Sequence, residues 1–181
     1  MIFPMKYKTL FLEAGVFALF FFISCSSGGK KYATRPHRQV SEETLIKTNQ
    51  YLVEKDEERI RKYIKRHGWH MQKTGTGLWY EIYHQGTGPG VLSGKKVTIL
   101  YTVRLLDGTL VYSSEESGPK VFTVGHGGVE SGLEQGILLL RGGDKARFIL
   151  PPLLAYGVPG DHNKIPPRSV IIYDLEVISV K

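Results

Sequence analysis

Ser169-Val170-Ile171-Ile172-Tyr173-Asp174-Leu175-Glu176-Val177, running on to Val180, is the stretch that decides the fold. Successive side chains of a strand point to opposite faces, so Ile171, Tyr173, Leu175 and Val177 share one face and can line a core. Working back from it, Pro166-Pro167 reads as a rigid turn into the strand, because each proline ring fixes its own φ. Earlier still, Ala155-Tyr156-Gly157 places a large aromatic between two small residues in a loop-like stretch after Pro151-Pro152. Gly125 to Gly136 is a glycine-dense turn that runs into the short apolar segment Leu133 to Leu140. These pieces are expected to surround one apolar pocket.

Taken in order, Val129-Glu130-Ser131-Gly132-Leu133-Glu134-Gln135-Gly136, Arg141-Gly142-Gly143-Asp144-Lys145-Ala146, Ala155-Tyr156-Gly157 and Ile165-Pro166-Pro167 resemble the FKBP-type (tacrolimus-binding) peptidyl-prolyl isomerases. Gly77-Leu78-Trp79-Tyr80-Glu81-Ile82, Gly86-Thr87-Gly88, Val97-Thr98-Ile99-Leu100-Tyr101-Thr102, Leu106-Asp107-Gly108-Thr109 and Ser113-Ser114 continue the same pattern upstream. A lone motif would say little, but a series in order with compatible spacings says much more, and it covers about residues 72–181. The resemblance implies an α+β domain, with an antiparallel curved sheet, a half-barrel, wrapped around one short helix near Glu130 to Leu140 and preceded by an N-terminal helix.

Carried across residue by residue, the resemblance implies that Tyr101, Phe122, Tyr156 (as a hydroxyl donor) and Tyr173 are catalytic. Val111, Tyr112, Val129, the backbone N–H of Glu130, Leu133 as the floor and Ile165 would contact substrate. The chain departs from the family where it has Val111-Tyr112 in place of a Phe-Asp pair and Leu133 in place of a Trp. Val111 still supplies apolar surface, whereas Tyr112 does not replace a carboxylate. Without the resemblance, Tyr101, Phe122, Leu133 and Tyr173 read equally well as core, since aromatics at alternating strand positions usually are.

At 181 residues, 41% of them hydrophobic and 11% aromatic, the chain has room for one ordinary domain plus accessories. Its first residues differ from the rest. Lys6 and Lys8 precede the apolar run Gly15 to Ile23 and then Ser24-Cys25, the layout of an export signal. Cys25 is the only cysteine, so it has no disulfide partner within the chain, and its position resembles a bacterial lipoprotein cleavage site. Leu10 to Ile23 includes Glu13 and is too short to cross a bilayer core of about 30 Å. The expected organisation is a lipoprotein signal peptide over residues 1–24, a flexible basic tether over 25–40, a charged helix over 41–68 and the isomerase domain over 72–181. Met1 and Met5 both remain open as the start. Lipid on Cys25 would hold the domain on the cell envelope; by resemblance to other lipoproteins, the absence of Asp directly after Cys25 favours the outer membrane, facing the periplasm. The whole layout resembles the isomerase lipoproteins associated with bacterial gliding motility.

Ser41 to His67 contains neither Pro nor Gly, opens on Glu42-Glu43 and closes on Lys65-Arg66-His67, the charge order that suits a helix dipole. Ser41 is a plausible N-cap and Gly68 a plausible stop, with Glu57/Arg61 and Glu58/Lys62 paired four apart. The thin apolar stripe Leu45, Leu52, Val53, Ile60, Tyr63 and Ile64 leaves three roles open: docking on its own domain, acting as a spacer, or forming a homodimer through residues 41–68.

The net charge of +7 does not indicate nucleic acid, because the basic residues are scattered without interleaved aromatics and the export signal points away from that compartment. His37, His67, His70, His84, His126 and His162 include no pair at metal-ligand spacing, so no metal or other cofactor is expected. No nucleophile with an evident base appears. The expected partners are proline-containing polypeptides and, through Cys25, a membrane. The expected function is isomerisation of Xaa-Pro bonds in exported or outer-membrane proteins. The rival reading is a membrane-tethered chaperone or scaffold that keeps the fold with little turnover.

Overall fold

The computed structural model describes residues 41–181. The expected signal peptide and tether, with Cys25, lie outside the described residues.

Ser41 opens helix α1 (Glu42–His67): its hydroxyl accepts from the Thr44 N–H, and Gly68, at φ +65°, closes the helix by returning its N–H to Ile64 and Lys65 carbonyls. A residue with a Cβ resists that left-handed conformation, so a glycine is the economical stop. Glu57–Arg61 and Glu58–Lys62 form ion pairs along the solvent side. The C-terminal half of α1 buries Ile60 and Tyr63 with Ile149, Val170 and Ile172, and Trp69, Met71 and Trp79 pack on the rim. Its N-terminal half leaves Leu45, Ile46, Tyr51 and Val53 exposed.

After α1 come β1 (Gln72–Lys73), β2 (Trp79–His84), β3 (Lys96–Leu105), β4 (Leu110–Ser113), α2 (Ser114–Ser117), β5 (Lys120–Thr123), α3 (Ser131–Ile137), β6 (Lys145–Leu150) and β7 (Ile171–Val180). A single 3-10 turn spans Pro152–Leu154. Among the described residues every strand pairing is antiparallel, in the order β1-β2-β6-β7-β3-β4, with β5 also on β3. β4 and β5 share one edge of β3: Thr102 to Arg104 pair with β4, and Lys96 to Ile99 with β5. The chain leaves that edge after β4, makes the short α2, and returns.

The antiparallel α+β architecture is present, but the half-barrel is not. The sheet is an open path whose two ends do not pair. Closing a sheet into a barrel requires end strands that can meet in a common register. Here one end is the two-residue β1, while the other is divided between two four-residue strands.

β7 and α3 explain the core. Ile171, Tyr173, Leu175 and Val177 lie in the main cluster with Val97, Ile99, Leu133, Ile137, Phe148 and Leu150. The helix lies close against β6: a Cβ on Gly136 would come within 2.5 Å of Phe148 Cε2, and one on Gly132 within 2.5 Å of Leu150 Cγ. Ile172 points the other way and is buried too, because α1 covers that face. Buried Asp144 holds a turn by accepting from the Gly86 N–H at 2.6 Å and the Arg141 N–H at 2.9 Å.

Candidate active site

The residues expected to form a site come together. Tyr101 reaches it from β3, Val111 and Tyr112 from β4, Phe122 from β5, Leu133 from α3, and Tyr173 from β7. Val129 and Glu130 lead into α3, Tyr156 follows the 3-10 turn, and Ile165 precedes the two prolines. Tyr101, Val111, Phe122, Leu133, Ile165 and Tyr173 are all buried in one cluster, and Tyr112, Val129 and Tyr156 pack against it. The strand alternation accounts for this convergence, since Tyr101 and Tyr173 fall on the inward face of neighbouring strands. Their rings are 6.0 Å apart between centroids, tilted by 42°.

The tenth residue, Glu130, changes the electrostatics. It occupies the N-cap position of α3, where a short acidic or hydroxyl side chain ordinarily bonds the free N–H groups of the first turn, yet its side chain makes no cap bond. Glu130 Oε1 instead accepts from the hydroxyls of Tyr156 and Tyr173, the latter at 2.9 Å. Tyr156 has a single hydroxyl proton and gives it to Glu130, so the same hydroxyl reaches a substrate as a donor only by exchanging that bond. Burial, then the hydrogen bond and charge of Glu130, push the Tyr156 hydroxyl well above the ordinary tyrosine range. Burial and then the Glu130 charge do the same to Tyr173, and burial followed by that charge also raises Tyr101.

Lys120 completes this polar group. Its ammonium donates to Tyr173 Oη at 3.1 Å, lies 4.9 Å over the Tyr101 ring, and is 3.9 Å from Glu130 Oε2. Sequence reasoning passed over it. Its place two residues before Phe122 on the same strand puts both on one face, and that alternation is the signal that could have found it. The Glu130 carboxylate was missed as well, because only its backbone N–H was expected to matter.

Tyr112 acts away from the polar group. Its hydroxyl donates to Asp161 Oδ2 and accepts from Asn163 Nδ2 at 3.3 Å. Asp161 Oδ1 in turn accepts from the N–H groups of Asn163 at 2.9 Å and Ile165 at 2.8 Å. Tyr112 thus ties β4 to the loop that presents Ile165. The hydrogen bond to Asp161, then burial, raises the Tyr112 hydroxyl above its ordinary range. Glu134 steadies the glycine turn by accepting from the N–H groups of Gly125 at 2.8 Å and Gly127 at 3.2 Å. A separate cavity of about 380 Å³ lies between α1 and the 3-10 turn, with Ile60, Trp79, Pro152 and Leu154 in its wall; none of the ten site residues lines it.

The class defined by these features is an α+β domain whose aromatic-lined site is assembled between a short helix and one face of an antiparallel sheet. Residues 88–178 match the model of the FKBP-type peptidyl-prolyl cis-trans isomerase family. The chain is 36% identical over 114 residues to a probable FKBP-type peptidyl-prolyl cis-trans isomerase of Haemophilus influenzae, covering 62% of this chain and 46% of that protein. It is 43% identical over 111 residues to FK506-binding protein 2 of Yarrowia lipolytica, covering 61% of this chain and 77% of that one. The crystal structure of FkpA from Escherichia coli is similar with a TM-score of 0.61 at 27% identity, over 79% of this chain and 74% of that one. The chain belongs to the FKBP-type peptidyl-prolyl cis-trans isomerase family. It spans about half the length of the Haemophilus relative.

Proposed function

We propose that this chain is a peptidyl-prolyl cis-trans isomerase that acts on Xaa-Pro bonds of exported or outer-membrane proteins. The observation that carries the reading is the convergence of Tyr101, Phe122, Leu133, Ile165 and Tyr173 in one cluster with Tyr156 at its edge. Rotation about an amide C–N bond faces a barrier of about 18–20 kcal/mol, because resonance gives the bond partial double-bond character. The twisted amide carries less charge separation than the planar one, so an apolar, water-poor site favours it. A hundred-thousand-fold acceleration needs about 7 kcal/mol of preferential transition-state stabilisation, within reach of desolvation, shape and one or two hydrogen bonds. In this reading Tyr101, Phe122, Tyr156 and Tyr173 surround the rotating bond. Val111, Val129, Leu133, Ile165 and the Glu130 N–H contact the client, and Tyr112 fixes the loop beside them.

The lipoprotein signal over residues 1–24, lipid on Cys25 and an outer-membrane site facing the periplasm complete the proposal, supported by the sequence of the first 25 residues. A homodimer through residues 41–68 is supported by the exposed Leu45, Ile46 and Val53 on α1. A second reading, a tethered chaperone or scaffold, is favoured by Tyr112, which offers no carboxylate to the site, and by the Tyr156 proton already given to Glu130. A protease-free Xaa-Pro isomerisation assay separates the two. Turnover by the natural chain that falls in Tyr156→Phe supports the isomerase; peptide binding without turnover supports the binding module.

A further inference from the structure

Glu130 has one carboxylate oxygen that no hydrogen bond among the described residues satisfies. Oε1 takes both tyrosine hydroxyls, while Oε2 is buried with no hydrogen-bond partner. Only 4% of the side chain is exposed. Lys120 is the nearby cation, but at 3.9 Å it is beyond hydrogen-bond range, and its ammonium already donates to Tyr173 and rests over the Tyr101 ring. Leaving a buried acceptor without a hydrogen bond is costly even with a cation 3.9 Å away, and the cost is recovered when a donor arrives. The carboxylate has also turned from the N–H groups of α3, which an N-cap residue normally serves, towards Tyr156 and Tyr173.

We propose that Glu130 is a specificity-determining residue of the pocket, with Oε2 accepting a hydrogen bond from a backbone N–H of the bound polypeptide. Proline has no N–H, so the donor belongs to the residue before the proline or to the one after it. The nature of this ligand rests on the isomerase reading. The site then selects polypeptide on two grounds: aromatic and aliphatic walls take the proline, and a carboxylate oxygen checks for an amide hydrogen beside it. A ligand with the same shape but no donor leaves Oε2 unpaired and binds less well.

The test uses the full chain and three peptides with the same Xaa-Pro sequence. One is all amide; in each of the others an ester oxygen replaces one N–H, either that of Xaa or that of the residue after proline. Dissociation constants are measured by calorimetry, and isomerisation is followed separately by NMR exchange. One ester is expected to bind about tenfold or more weakly than the amide peptide. In Glu130→Met, which keeps the length and removes both oxygens, the gap should shrink to about twofold or less, with folding checked by melting. If that variant does not fold, the comparison of peptides on the natural chain decides alone. Equal binding of all three peptides, or a gap that persists in Glu130→Met, overturns the proposal. A gap without faster isomerisation leaves it standing and defeats the isomerase reading; faster isomerisation without a gap defeats this proposal alone.

Discussion

Arg168 Nη2 donates to Asp56 Oδ2 at 2.8 Å, joining residues 112 apart and fastening helix α1 to the turn that leads into β7. Arg168 itself sits at φ +53°, a conformation that non-glycine residues adopt only when their surroundings hold them there. The pair therefore steadies the entry to the strand that carries Tyr173, although it lies on the outer face of the sheet.

Asp56→Ala should remove this fastening and cost about 1–3 kcal/mol, because the guanidinium then loses a charged acceptor at a half-buried position. Ile60 and Tyr63 still hold the helix, so the domain should remain folded. Hydrogen exchange should show protection falling along α1 and around Arg168, with little change at Phe148 and Tyr173. Unchanged protection in α1 would show that the apolar contacts alone hold it.

Tyr112→Phe should destabilise the domain by about 1 kcal/mol, the usual net worth of one hydrogen bond. Partial burial draws the Asp161 carboxyl upwards, but hydrogen bonds from Tyr112 and from the N–H groups of Ile165 and Asn163 outweigh it and hold it below its ordinary range. A carboxyl depressed in the folded state contributes stability that is present above its unfolded pKa and lost as pH falls through its folded one. The variant should therefore show a smaller loss of stability on acidification. Tyr112→Asp should be worse than Tyr112→Phe at neutral pH, since it sets a second carboxylate beside Asp161. Urea unfolding at several pH values measures both effects.

Gly136→Ala should cost about 1–3 kcal/mol by overpacking, since the added methyl meets the Phe148 ring and either α3 or the ring must shift. Because α3 carries Leu133 and follows Glu130, the same change should weaken peptide binding. Equal stability of variant and parent in chemical unfolding would mean that the Phe148 ring moves aside freely.

Alkaline pH should weaken the fold through its tyrosines. Burial, then the hydrogen bond and charge of Asp174, raise Tyr83 to about 12, and Tyr156 and Tyr173 are raised further. A tyrosine whose folded pKa lies above its unfolded value contributes stability that is complete below the unfolded pKa, near 10, and is lost as pH rises through the folded one. Stability should fall from about pH 10 upwards, and Tyr173→Phe should flatten part of that fall. Tyrosinate absorbance recorded with melting temperature follows the ionisation directly; a parent and variant with identical alkaline profiles would sink the expectation.

Much of the site was legible because it depends on alternation along strands. Tyr101 and Tyr173 are placed by a period of two, and the family's order of landmarks gathered the rest. The polar half was not legible in the same way. Glu130 looks like a residue whose backbone matters, and Lys120 looks like a solvent-facing strand residue. Their meeting depends on a helix, β5 and β7 arriving at one point, and on which way each side chain turns. Tyr112 reads as an intruder where a carboxylate was expected, whereas its role follows from Asp161, 49 residues away.

The sequence by itself determined the local structure: the period-two strand from Ile171 to Val180, the capped and charge-ordered helix from Glu42 to His67, the stop at Gly68, and membership in a family that builds an aromatic pocket. These follow from interactions within a few residues of one another or from an ordered series of motifs. Tertiary structure alone decided that the sheet stays open, that Ile172 is buried beneath α1 on the face opposite Tyr173, and that Glu130 binds two tyrosines and not its own helix. Each of these turns on competition between partners distant in the chain. A buried carboxylate or an apolar side chain goes to whichever donor or surface the assembled fold brings within reach, and local sequence does not record that choice.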